Sequence, residues 1–94
     1  MKHYIIVKLT PEGKQQSNLI KNIDMLFQKS LNIKGIHSVS VHTSIIELPN
    51  RHDLMVCIEM EKESLELFDN SDIHKKWKDL YSQYIETKTI FDCE

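Results

Sequence analysis

Residues 3–9 alternate strictly: His3, Ile5, Val7 and Leu9 share one face, and Tyr4, Ile6 and Lys8 the other, the period-two pattern of a strand with two substantially apolar faces. Both faces of such a strand need cover. Thr10-Pro11-Glu12 then supplies a helix N-cap, a proline where its missing N–H costs nothing, and an acidic first turn. The period lengthens to that of a helix, with Leu19, Ile20, Ile23, Leu26, Phe27 and Leu31 as its buried stripe and residues 32–35 as its exit turn. Over residues 36–48 period two returns, with Val39, Val41, Thr43 and Ile45 on one side and Ser38, Ser40, His42 and Ser44 on the other. The turn cluster Pro49-Asn50-Arg51-His52-Asp53 joins this half-polar strand to a third, where Leu54, Val56, Ile58 and Met60 alternate with Met55, Cys57 and Glu59. The two read as a hairpin.

Residues 62–68 form a short helical segment with Leu65, Leu67 and Phe68 apolar, and Asn70-Ser71-Asp72 breaks it. Ser71 and Asp72 are good N-caps, because their side-chain oxygens accept the unpaired N–H groups of a starting helix, and Ile73, Trp77, Leu80 and Tyr84 recur behind them as a core stripe. A last strand over residues 85–92 alternates Ile85, Thr87, Thr89 and Phe91 with Lys88 and Ile90. The order βαββαβ predicts an α+β fold, a ferredoxin-like plait whose antiparallel sheet has the order 4-1-3-2 with both helical connections on one face. Residues 1–94 read as a single domain, with no repeat or linker.

Length and charge narrow the function. A chain of 94 residues buries a small core and gains from a partner subunit, so a homodimer is expected. Twelve basic and 14 acidic side chains give a net charge of −2 with no basic run, which predicts neither a nucleic-acid partner nor an anionic membrane. The opening MKHYIIVKL is broken by Lys8 and is too short for a signal segment or a membrane span, so a cytoplasmic location is expected. Cys57 and Cys93 stand outside any CxxC pair and predict free thiols. The histidines His3, His37, His42, His52 and His74 show neither HExxH nor zinc-ligand spacing with cysteine, so no metal and no cofactor are expected.

The chemistry centres on His74. It falls in the first turn of the last helix, on the side of Trp77 and Tyr81, at the edge of the stripe. A helix N-terminus disfavours imidazolium and favours a neutral ring able to accept a proton. The bland alternative is a partly buried boundary residue. In the 4-1-3-2 order the start of the first strand lies beside the end of the third, where the second helical connection begins. His3 and His74 are therefore expected at the same end of one sheet-to-helix crevice.

The opening Lys2-His3 before IIVKL, the Pro11-Glu12 helix start, the run Ile73-His74-Lys75-Lys76-Trp77 and the closing Ile90-Phe91-Asp92 together resemble the stress-responsive dimeric α/β-barrel (Dabb) family, which includes plant polyketide cyclases of the olivetolic acid type. The resemblance spans nearly the whole chain. It implies a dimer whose sheets meet face to face, with helices outside and a pocket in each subunit. Tyr4, Ile6, Val39, Val41, Met55 and Ile90 would then form the apolar outer face. It further implies that His3 and His74 flank a substrate in a pocket lined by Ile5, Val7, Phe27, Phe68, Trp77 and Tyr81. The tyrosine that cyclase members carry just before the helix is Phe68 here, so its hydroxyl is missing.

Three functional readings follow. One is a non-catalytic, stress-protective dimer with a small-molecule pocket, whose histidines are packing residues. A second is a cofactor-independent cyclase or lyase-like enzyme in which His74 takes a proton next to a carbonyl and His3 steadies the oxygen. A third is a monooxygenase of the antibiotic-biosynthesis or haem-degrading kind, against which His3 stands where an asparagine belongs and Trp77 follows His74 rather than preceding it. An open crevice holding both imidazoles favours the second reading, and one closed by Phe27, Phe68 and Trp77 the first.

Overall fold

The computed structural model describes residues 1–94. Its elements are β1 (Lys2–Leu9), α1 (Pro11–Lys14), α2 (Leu19–Gln28), β2 (Ile36–Thr43), β3 (Leu54–Met60), α3 (Leu65–Asp69), α4 (Asp72–Tyr81) and β4 (Ile85–Cys93). The strands form one antiparallel sheet in the order β2-β3-β1-β4. This is the 4-1-3-2 plait, with the helices on one face. Its core joins Ile5, Val7, Leu9, Leu54, Val56, Ile58 and Met60 of the sheet to Leu19, Ile23, Leu26, Phe27, Phe68 and Trp77 of the helical layer.

The first helix differs from its predicted course. Thr10 caps α1 by accepting from the Gly13 N–H, and the Thr10 N–H donates to the Tyr84 carbonyl at 2.9 Å, which docks this turn against the end of the last helix. Gly13 is buried there, and a Cβ would come within 2.7 Å of the Tyr84 carbonyl oxygen. The helix ends at Lys14, the chain turns through Ser17 and Asn18, side chains that favour turns over helix interiors, and α2 starts at Leu19. Leu31 falls in a final 3-10 turn, Lys29–Asn32, and is 44% exposed rather than buried. Gly35 makes the exit with φ +85°, and a Cβ would meet Ser64 Oγ at 2.0 Å.

Strand parity holds in β1 and β3 and shifts in the other two. The register skips between Ile36 and Ser38, so Ile36, opposite Met60, and Val39, opposite Ile58, both face the helices although they are three residues apart. Val41, opposite Val56, follows Val39. A second shift, between Lys8 and Leu9, places Ile85 opposite Leu9 and Thr87 opposite Lys8. Beyond it Lys88, Ile90 and Asp92 face the helices, opposite Val7, Ile5 and His3. Val39, Val41 and Ile90 therefore do not belong to the outer face. That face carries Tyr4, Ile6, Met55, Cys57 and Phe91 instead, with the Tyr4 and Phe91 rings 6.4 Å apart and Phe91 57% exposed. Cys57 and Cys93 are free.

β2 stops at Thr43, short of the predicted residue 48, because Ser44 Oγ bonds locally to the Ile46 N–H and carbonyl and turns the chain. In α4 the buried side runs Ile73, Trp77, Tyr81 and on to Tyr84, while Leu80 points outward at 54% exposure. No helix is long and apolar enough to cross a membrane.

Trp77 is 1% exposed and meets Phe27 edge to face at 5.0 Å, so it joins α4 to α2. Trp77→Ala is expected to destabilise the protein by about 3–5 kcal/mol, through lost burial and the cavity left behind. Urea unfolding measures this. Native emission from this single tryptophan should be blue-shifted, and emission typical of an indole in water would contradict the packing.

Candidate functional site

His3 sits at the start of β1 on its helix face, buried, because β1 is flanked by β3 and β4 and covered by α3 and α4. His74 is the third residue of α4, fixed by the cap in which its N–H donates to Ser71 Oγ at 3.2 Å. The Phe68 ring touches both imidazoles, with ring centroids 5.7 Å from His3 and 5.3 Å from His74, both edge-on. An open crevice of about 260 Å³ runs past them, lined by His3, Ile5, Leu65, Asp69, His74, Trp77, Lys88, Ile90 and Asp92.

Ile5 and Trp77 thus line the crevice together with both histidines. Val7, Phe27 and Phe68 are not part of that lining and pack behind it in the core. Tyr81 lies one helical turn beyond Trp77 and borders a separate depression with Leu19, Asn22 and Tyr84. Burial raises the pKa of its phenol, which leaves it a poor acid there.

Asp69, Lys88 and Asp92 complete the polar lining and were not expected from the sequence. Asp92 Oδ1 lies 2.5 Å from His3 Nδ1, a pairing the β1–β4 register sets directly because His3 and Asp92 are opposite one another. The carboxylate accepts the Nδ1 proton and orients the ring. His3 Nε2 has no protein partner, so it is the ring atom able to take a further hydrogen bond. The available signal was parity: counted from apolar Ile90 rather than from Ile85, alternation puts Lys88 and Asp92 on the side of the core.

His74 differs from His3. Its Nδ1 is buried without a hydrogen-bond partner, leaving Nε2 as the reachable nitrogen. Burial holds its pKa below the usual histidine range, and the charges of Lys78 and Lys88 push the same way. The Asp69 carboxylate opposes this by its charge, and the Asp69 backbone by its proximity, although no acceptor reaches hydrogen-bond geometry at Nδ1. Burial is the largest of these causes and favours the neutral ring. The crevice therefore pairs a neutral imidazole with one anchored by a carboxylate, an arrangement able to accept a proton at one nitrogen and hold an oxygen at another. No group of three or more His, Cys, Asp or Glu side chains is placed to hold a metal ion.

The fold and this crevice define a class, the ferredoxin-like α+β proteins with a sheet-to-helix pocket. No family model and no curated protein matches the chain. Among solved structures it is similar to a dimeric ferredoxin-like protein of unknown function from Bacteroides fragilis, with TM-score 0.78 and 14% identity over 99% of this chain and 93% of that one. An Arabidopsis thaliana protein gives TM-score 0.78 and 10% identity over 99% and 92%. A Dabb family protein with a ferredoxin-like fold from Mesorhizobium loti gives 0.66 and 10% over 99% and 93%. At these identities the likeness is one of fold.

The lowered pKa of His74 carries a stability signature. The unfolded ring takes a proton near its ordinary value of about 6.5, whereas the folded ring resists until lower pH. The unfolded state thus binds more protons as pH falls through that window. Stability relative to His74→Gln should be constant above about pH 7 and decline below about 6.5, measured by urea melts across pH, with the imidazole titration followed by NMR. A His74 midpoint at or above the ordinary value would contradict the burial argument.

Proposed function

We propose that the chain is a Dabb-type homodimer whose crevice binds a small carbonyl compound and moves a proton on it without a cofactor. The observation that supports this reading best is that both imidazoles line one open crevice, with His3 anchored by Asp92 and His74 neutral. In the proposed step His74 Nε2 removes a proton from the carbon beside the carbonyl, and the C–H electron pair moves onto the carbonyl oxygen as an enolate. His3 Nε2 faces that oxygen. It accepts from a substrate hydroxyl when the ring is neutral and donates to the enolate when the ring is protonated. The proton then returns from His74 to carbon, or the enolate carbon attacks a second carbonyl of the same molecule, whose π electrons move to its oxygen, and that oxygen takes the proton from His74 as the ring closes.

Phe68 offers no hydroxyl to share this work, so His74 is the principal base. The crevice volume, about 260 Å³, falls just below the range of small-molecule sites, which run from roughly 300 to 1,000 Å³. That smallness favours a second reading, a binding protein without turnover.

Acetophenone separates the two, because its methyl hydrogens exchange slowly with water unaided. In D₂O the protein is expected to accelerate loss of the methyl proton signal by NMR. His74→Gln should reduce the catalysed rate by about 10²–10⁴-fold, the usual worth of a general base, and Asp92→Asn by less. Binding with no exchange would favour the second reading and sink the first.

The dimer half of the proposal rests on the apolar outer face and on the Bacteroides fragilis neighbour, itself described as dimeric. A face carrying Tyr4, Ile6, Met55 and Phe91 gains more from a second copy than from water. Light scattering at micromolar concentration is expected to give twice the chain mass, and the pair Ile6→Asp with Phe91→Asp should give a folded monomer. A monomeric parent would refute this half alone.

A further inference from the structure

We infer that the crevice selects a carbonyl compound carrying a carboxylate, and that Lys88 is the residue that selects it; this rests on the crevice being the ligand site proposed above. The β4 register shift turns Lys88 to the helix face, opposite buried Val7, where it lines the crevice beside His74, Ile90 and Asp92. Without the shift the same lysine would stand on the outer face of the sheet.

Lys88 is also uncommitted. Lys8 pairs with Glu86 and Lys14 with Asp53, each at 3.9 Å, and no carboxylate lies within ion-pair distance of Lys88. Of the two crevice carboxylates, Asp92 is taken by His3. Asp69 remains in the lining, and its charge acts on His74 against those of Lys78 and Lys88. The remaining walls are apolar: Ile5, Leu65, Trp77 and Ile90.

A crevice with four apolar wall residues and one ammonium held in no ion pair fits a ligand with a hydrocarbon body and one anionic group. A neutral ligand leaves the ammonium solvated and gains nothing from it, whereas a carboxylate forms a charge-assisted hydrogen bond beside low-dielectric walls. The carboxylate would occupy the Lys88 side, and the carbonyl would lie between the two imidazoles.

Acetophenone and 4-acetylbenzoate are matched probes that differ by the carboxylate alone. Affinity is read from Trp77 fluorescence, and the place of binding from the His3 and His74 imidazole signals by NMR. The expected result is that 4-acetylbenzoate binds about tenfold more tightly, a charge-assisted bond's worth, with the advantage shrinking as salt is added. Lys88→Met keeps the apolar stem and should bring the two probes to parity, and Lys88→Glu should reverse the order, with folding checked by circular dichroism. Equal affinity of the parent protein for both probes, or a preference that survives in folded Lys88→Met, overturns the inference while leaving the crevice reading intact. If neither probe moves the His3 or His74 signals, the crevice reading fails and this one with it.

Discussion

Much of this structure hangs on the Phe68 ring. It is fully buried, stacks near Phe27 at 6.3 Å, and presents its edges to His3 and His74. Phe27 in turn meets Trp77, so one aromatic chain runs from the middle of the core to the two imidazoles. Packing of this kind is close to crystalline in density and tolerates little displacement. The distance between the histidines is consequently set by core packing rather than by flexible polar contacts. A tyrosine at this position would bring a hydroxyl to the site but would also have to find it a partner in a buried place.

The sequence was most legible where strands alternate without interruption. In β1 and β3 parity alone separates the core set from the outer set, and the element order leads to the sheet order. It failed where one extra residue enters a strand. At His37 and just before Thr87 the register slips, and every later side chain changes face, which is how Val39, Val41 and Ile90 came to be assigned to the wrong surface. The same slip concealed Lys88 and Asp92. Bulges of this sort leave little trace in a single sequence, because the residue skipped over need not differ in character from its neighbours.

Helical periodicity misled in a different way. Leu31 fits its stripe in number yet falls in the 3-10 turn that ends its helix, and Leu80, inside α4, lies on the flank of the stripe away from Tyr81, so both are exposed. The pairing of His3 with His74 was legible because it needed only topology and a cap. The environment of His74 was not, since the lowered proton affinity arises mainly from burial that depends on how α3 and α4 close over β1. The cost of that closure is visible in Nδ1, a buried nitrogen without a partner, and unsatisfied polar atoms of this kind concentrate at working sites.

β4 is an edge strand, paired on one side only and exposed along most of its length. Segments of a folded protein can open locally at a free energy below that of global unfolding. Three residues of the crevice ride on it: Lys88, Ile90 and Asp92. When β4 peels away, His3 loses its carboxylate while β1, β3, β2 and the Phe27–Trp77 contact can persist. The His3–Asp92 pair also joins positions 89 residues apart, one of the most expensive loop closures the chain makes. The crevice is therefore tied to the pairing of β4 with β1, and its occupancy by a small molecule would register as slowed amide exchange along β4.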